Sequence, residues 1–185
     1  MLSRRVLRLF LALGGMMPLV TPSRAADLTF YVGGVKPGKI TIRGVATPLD
    51  SSPIFGFRLG TSFVPLFGME HTLAFSSDYL FPRNSSDIKN AKGFVYNTNL
   101  IINMPIKRTV PYITAGAGLM HQYGSQNLPV GTKFAFNYGG GLKVPRLAGP
   151  LGFRFDLRGY TATGIVSNKL NLFEITGGIL FSFGP

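Results

Sequence analysis

Residues 151–160 read LGFRFDLRGY. Phe153, Phe155 and Leu157 share one parity, while Arg154, Asp156 and Arg158 share the other. Alternation of this kind marks an extended strand with one apolar and one charged face. Which face points inward decides the fold. A water-soluble sandwich buries the Phe face and leaves the arginines in solvent, whereas a barrel in a membrane does the reverse.

The same parity recurs along the chain. In 171–183, Phe173, Ile175, Ile179, Phe181 and Phe183 oppose Glu174, Thr176 and Ser182. In 133–144, Phe134, Phe136, Tyr138, Leu142 and Val144 oppose Asn137 and Lys143. Phe55, Phe57, Leu59 and Phe63 oppose Arg58 and Ser62 in 53–63. In 93–104, Phe94, Tyr96, Leu100 and Ile102 oppose Asn97, Asn99 and Asn103. With 27–35, 70–80, 111–123 and 151–160 these make eight candidate strands, and no window holds a convincing helical period.

The connections alternate in length. Those at 36–52, 81–92, 124–132 and 161–170 are the longer set, and those at 64–69, 105–110 and 145–150 the shorter. An up-and-down barrel sorts its connections this way because odd and even ones leave at opposite ends. Outer-membrane barrels put short turns on the periplasmic side and longer loops outside. Aromatics at strand ends (Phe30, Phe63, Tyr79, Phe81, Tyr112, Tyr123, Tyr160, Phe183) are expected to form interfacial girdles. Glycines on the polar parity, among them Gly116, Gly118, Gly139 and Gly141, are expected to make room inside a narrow barrel.

Composition agrees. Charged residues are only 14% of the chain, against about 25% in a typical soluble domain. Part of the surface is therefore expected not to face water. Residues 1–25 read as a secretory leader, with Arg4, Arg5 and Arg8 before the apolar run Leu9–Val20 and small residues at Ser23 and Ala25 before a cleavage site. That run, broken by Gly14, Gly15 and Pro18, is too short to span a bilayer as a helix. The barrel domain is then 26–185. Removing the four leader arginines from 19 basic residues leaves 15 against 7 acidic ones. The absence of cysteine rules out disulfide and thiolate chemistry.

KFAFNYGGGLKV, PRLAGP and LGFRFDLRGY, followed by LFEITGGILFSFG, resemble the small outer-membrane barrel family that includes the OmpA and OmpX membrane domains. Many such barrels end on the aromatic itself, whereas here Gly184 and Pro185 follow Phe183. The resemblance implies an all-β, eight-stranded antiparallel up-and-down transmembrane β-barrel in a bacterial outer membrane, with both termini periplasmic. It also implies a monomer surrounded by outer-membrane lipid and lipopolysaccharide, with barrel-assembly machinery and periplasmic chaperones as partners.

On the inward parity lie Arg58, Lys143, Arg154 and Arg158 with Asp78, Asp156 and Glu174. Unpaired charge in a poorly hydrated bore is costly, so these are expected to form a polar network that plugs the lumen; the other reading leaves some of them solvated at the rims. A second group, Lys36, Lys39, Arg43, Arg83, Lys89, Lys92, Lys133 and Lys169, falls on or beside the outer connections, opposed by Asp50 and Asp87. That rim of about +6 suits lipopolysaccharide phosphates, or is ordinary solubilising charge. Nucleic acid is not an expected partner, since the basic residues lack interleaved aromatics and the leader exports the chain.

Other signatures fail. Gly33–Lys39 (GGVKPGK) mimics a phosphate loop, but Ile40 stands where Ser or Thr must hold magnesium. His121 and Ser125 are four apart, unlike the His and Ser of lipid A deacylases. No His, Asp or Glu cluster has metal spacing. Neither catalytic residues, nor a metal, nor a cofactor is expected. The sequence favours a structural or surface-interaction role, with three alternatives: a narrow pore, a lipid-modifying hydrolase, or a soluble lipocalin-like carrier.

Overall fold

The computed structural model describes residues 25–42, 45–77, 79–80, 91–124, 131–165 and 168–184, of which 39–42, 45–48, 163–165 and 168–169 are described by backbone alone. Strand β1 covers Ala25–Pro37, β2 Lys39–Ile42, β3 Val45–Pro48, β4 Ser52–Ser62 and β5 Phe67–Ser76. Strand β6 covers Ala91–Asn103, β7 Val110–Gly124, β8 Thr132–Ala148, β9 Leu151–Ile165 and β10 Asn168–Phe183. Eight of these close a ring in the order β1-β10-β9-β8-β7-β6-β5-β4, and all neighbours run antiparallel. A closed ring has no edge strand, which is the condition for a sheet to sit in lipid without unsatisfied backbone groups.

The register sets the shape. Passing from His71 to Thr98, Ala117, Phe136 and Thr161 reaches β9 one way. Passing from His71 to Leu59, Leu28, Phe181 and Leu151 reaches it the other way, ten residues lower. That stagger tilts the strands by roughly 40° and leaves a bore that side chains alone can fill.

The question posed by LGFRFDLRGY is settled by exposure. Phe153, Phe155 and Leu157 lie outside, whereas Arg154, Asp156 and Arg158 are at most 1% exposed. Phe30, Val32, Phe55, Ile113, Phe136 and Ile179 extend the apolar exterior around the ring. A lipocalin-like carrier requires the opposite arrangement, an apolar interior under a polar surface, so that reading is withdrawn.

Several expectations change. The connection expected over 36–52 contains the β2–β3 hairpin, and β9 and β10 stay paired as far as Ile165 and Asn168. Strand β8 runs on through an irregularity after Val144 and turns at Gly149 (φ 61°), a left-handed position that suits glycine. The girdle expectation fails for three tyrosines. Tyr79, Tyr112 and Tyr160 are buried inside the ring, while Phe63, Tyr123 and Phe183 remain exposed. Their hydroxyls explain the difference, because each finds a partner inside. Phe81 lies outside the described residues.

Candidate functional site

The interior is organised around three arginines and three carboxylates supplied by four strands. β4 brings Arg58, β5 Glu70, β9 Arg154, Asp156 and Arg158, and β10 Glu174. All six are at most 1% exposed. Charges this far from water are tolerable only when paired and hydrogen-bonded. Arg58 Nη1 donates to Asp156 Oδ2 at 3.0 Å, and its Nη2 donates to Glu174 Oε1 at 2.7 Å. The same guanidinium lies 3.7 Å from the centre of the Tyr31 ring, an apolar floor with a favourable quadrupole.

Arg154 grips both carboxylates beside it. Its Nε and Nη2 each donate to Asp156 at 3.0 Å, and its Nη1 donates to Glu70 Oε2 at 2.5 Å. Arg158 Nη2 bridges Glu70 Oε1 at 2.6 Å and Asp156 Oδ1 at 3.1 Å. The flanking positions Arg154 and Arg158 thus share Asp156 as a ladder along one strand face. Tyr112 Oη donates to Asp156 Oδ1 and accepts from Arg154 Nε at 2.9 Å. Gly141 stands opposite Tyr112 in the register, and a Cβ built there would meet the phenol oxygen at 2.6 Å. The missing side chain is what admits that hydroxyl.

A smaller pair lies toward the end bearing the short turns. Lys143 Nζ donates to Asp27 Oδ2 at 2.7 Å, with the Tyr112 ring 5.3 Å away. This pair lines a mouth of about 500 Å³ together with Asn103, Ser182 and Phe183. Together the two clusters hold Arg58, Lys143, Arg154 and Arg158 against Asp27, Glu70, Asp156 and Glu174, so the assembled charges cancel.

Of the residues expected in the lumen, Arg58, Lys143, Arg154, Asp156, Arg158 and Glu174 therefore lie inside the ring, and Asp78 falls outside the described residues. Glu70 and Asp27 were missed, although Glu70, Thr72 and Ser76 do share the inward parity of β5. Tyr112 and Tyr160 were misassigned to the surface. The basic rim is only partly visible: Lys36 and Lys92 are exposed and Lys133 half-buried. Lys39 and Lys169 lie in β2 and β10 with their side chains undescribed, and Arg43, Arg83 and Lys89 fall outside the described residues.

The histidines face outward. His71 Nδ1 lies 3.1 Å from both Tyr96 Oη and Thr98 Oγ1, and His121 Nδ1 lies 2.7 Å from Thr132 Oγ1. Among the described residues, neither set of partners contains the carboxylate that a hydrolytic triad uses to orient its base. Ser125 lies outside the described residues, and among those described no group of three His, Asp or Glu is placed to hold a metal ion.

The network makes a local prediction. Tyr160 Oη donates to Glu174 Oε2 at 2.9 Å, so Tyr160→Phe removes one charge-assisted bond without changing the ring. The expected loss is about 1.5 kcal/mol, read from guanidinium unfolding of the barrel in lipid vesicles. An unchanged midpoint would mean that Arg58 alone satisfies Glu174.

A closed ring of eight antiparallel strands is the fold of the small outer-membrane barrels, and solved structures of that class share it. Neisserial surface protein A matches at 11% identity over 86% of this chain and 99% of its own, with a TM-score of 0.66. The outer membrane protein OprG from Pseudomonas aeruginosa matches at 12% identity over 88% and 98%, with a TM-score of 0.61. The N-terminal β-barrel domain of Pseudomonas aeruginosa OprF matches at 14% identity over 87% and 98%, with a TM-score of 0.52. No protein-family model and no curated protein matches the sequence.

Proposed function

We infer that this chain is a bacterial outer-membrane barrel serving as a structural and surface-interaction protein, its bore closed by paired ions. The observation that carries the reading is the charge-balanced interior inside a closed apolar exterior. Buried, mutually paired side chains fill the level of Arg58, Glu70 and Asp156, which opposes passage of solutes. In this reading the short turns and both termini face the periplasm, the β2–β3 hairpin and the other long connections face outward, and the protein works as a monomer. Lys36 and Lys92, with the rest of the basic rim, meet lipopolysaccharide phosphates. The surroundings of His71 and His121 give no support to a hydrolase.

Purified protein in planar bilayers tests the closed bore. The expected recording shows no large stable conductance. Discrete, long-lived openings would overturn the plug and favour the narrow-pore reading. Fractionation with the outer membrane and a heat-modifiable band on gels test the location and the closed barrel.

A further inference from the structure

The outer wall is not uniformly convex. Tyr138, Gly159, Phe173 and Lys36 stand side by side across β8, β9, β10 and β1. With no side chain at Gly159, the ring end of Tyr138 lies down against it. A groove of about 540 Å³ runs beside that ring toward Phe173, with Leu157 at one end and Asn171 and Lys36 at the other. Leu157 lies toward the middle of the apolar band. Lys36 is exposed at the end of the barrel where the long connections leave, and Thr161 Oγ1 donates to Asn171 Oδ1 at 3.0 Å beside it. Among the described residues, no acidic side chain lines the groove.

The geometry points to a lipid site: one acyl chain of an anionic phospholipid lies in the groove between Tyr138 and Phe173 beside Gly159, with its phosphate at Lys36. The polarity runs as such a lipid does in the leaflet on the long-connection side, cation and amide at headgroup level and apolar walls toward the midplane. A lysine near a phosphate surface is worth a factor of roughly five in occupancy, which sets the size of the expected preference. The aromatic walls supply packing that a smooth convex surface lacks. This site rests on the membrane reading above and adds to it a defined ligand class and position.

The test folds the full barrel into vesicles of equal parts phosphatidylglycerol and phosphatidylcholine, releases it gently and counts retained lipids by native mass spectrometry. The expected result is one retained lipid with phosphatidylglycerol preferred roughly fivefold. Lys36→Gln is expected to keep the retained lipid and lose the preference. Gly159→Leu is expected to lose the lipid of either kind. It is expected to fold, because the nearest atoms to a new Cβ are the ring end of Tyr138 at 2.9–3.2 Å, which swings aside without moving backbone. A heat-modifiable band for every variant reports folding independently. Folded protein that retains no lipid, shows no preference, or keeps both in the variants overturns the lipid site and leaves the barrel reading standing. A wild-type chain that does not fold into vesicles overturns both.

Discussion

Replacing Asp156 with Asn is expected to lower the free energy of unfolding by about 3–5 kcal/mol, the cost of leaving a buried ion without its partner. The two side chains have nearly the same shape, so packing is held constant while the charge is removed and one accepting oxygen becomes a donor facing other donors. Asp156 accepts from Arg58 and Arg154 at 3.0 Å and from Arg158 at 3.1 Å, as well as from Tyr112. Without it, three guanidinium groups share Glu70 and Glu174, and one positive charge in the bore is left uncompensated. Guanidinium unfolding in lipid vesicles provides the measurement. A loss below about 1 kcal/mol, the range of solvated surface pairs, would show that water reaches the bore and screens it.

Phe155→Arg, one residue away on the opposite face, is expected to cost about 2–4 kcal/mol in the same assay. Phe155 is 43% exposed, so in a water-soluble protein the change would fall within about ±0.5 kcal/mol. In acyl chains an arginine must drag water or headgroups to itself. Depth supplies the control. Phe183, also exposed but at the short-turn end of β10, is expected to tolerate Arg at a cost of about 0–1 kcal/mol. Equal and negligible costs at both positions would remove acyl chains from the exterior and with them the membrane reading.

The alternation in β8, β9 and β10 made the barrel legible, because Phe and Arg on opposite parities leave little ambiguity about the period. The β2–β3 hairpin was not legible. Strands of four residues hold too few alternations to stand out from a loop, and Pro37, Gly38 and Pro48 read as turn residues. Glu70 was hidden for another reason. The outward row of β5 contains His71, whose bonds to Tyr96 and Thr98 make a polar side chain acceptable there, so apolar and polar faces blur. Tyr112 and Tyr160 misled because a phenol is apolar in its ring and polar at its tip, and suits either an interface or a buried acceptor. Arg58, Glu70, Asp156 and Glu174 meet through no sequence spacing at all. Only closure of the ring brings them together.

That last feature bears on how the protein assembles. Arg58 reaches Asp156 across 98 residues of chain and Glu174 across 116, and Arg154 and Arg158 reach Glu70 across 84 and 88. A half-zipped sheet, with β1 and β10 not yet joined, holds Arg58 near one lip of an open seam and Asp156 and Glu174 at the other, and keeps them wet. Sealing the seam and drying the ions are then one event. The chain has no stable halfway house in which the wall is finished and the centre is not, so assembly is expected to pass in a single late step from an open hydrated sheet to the sealed cylinder.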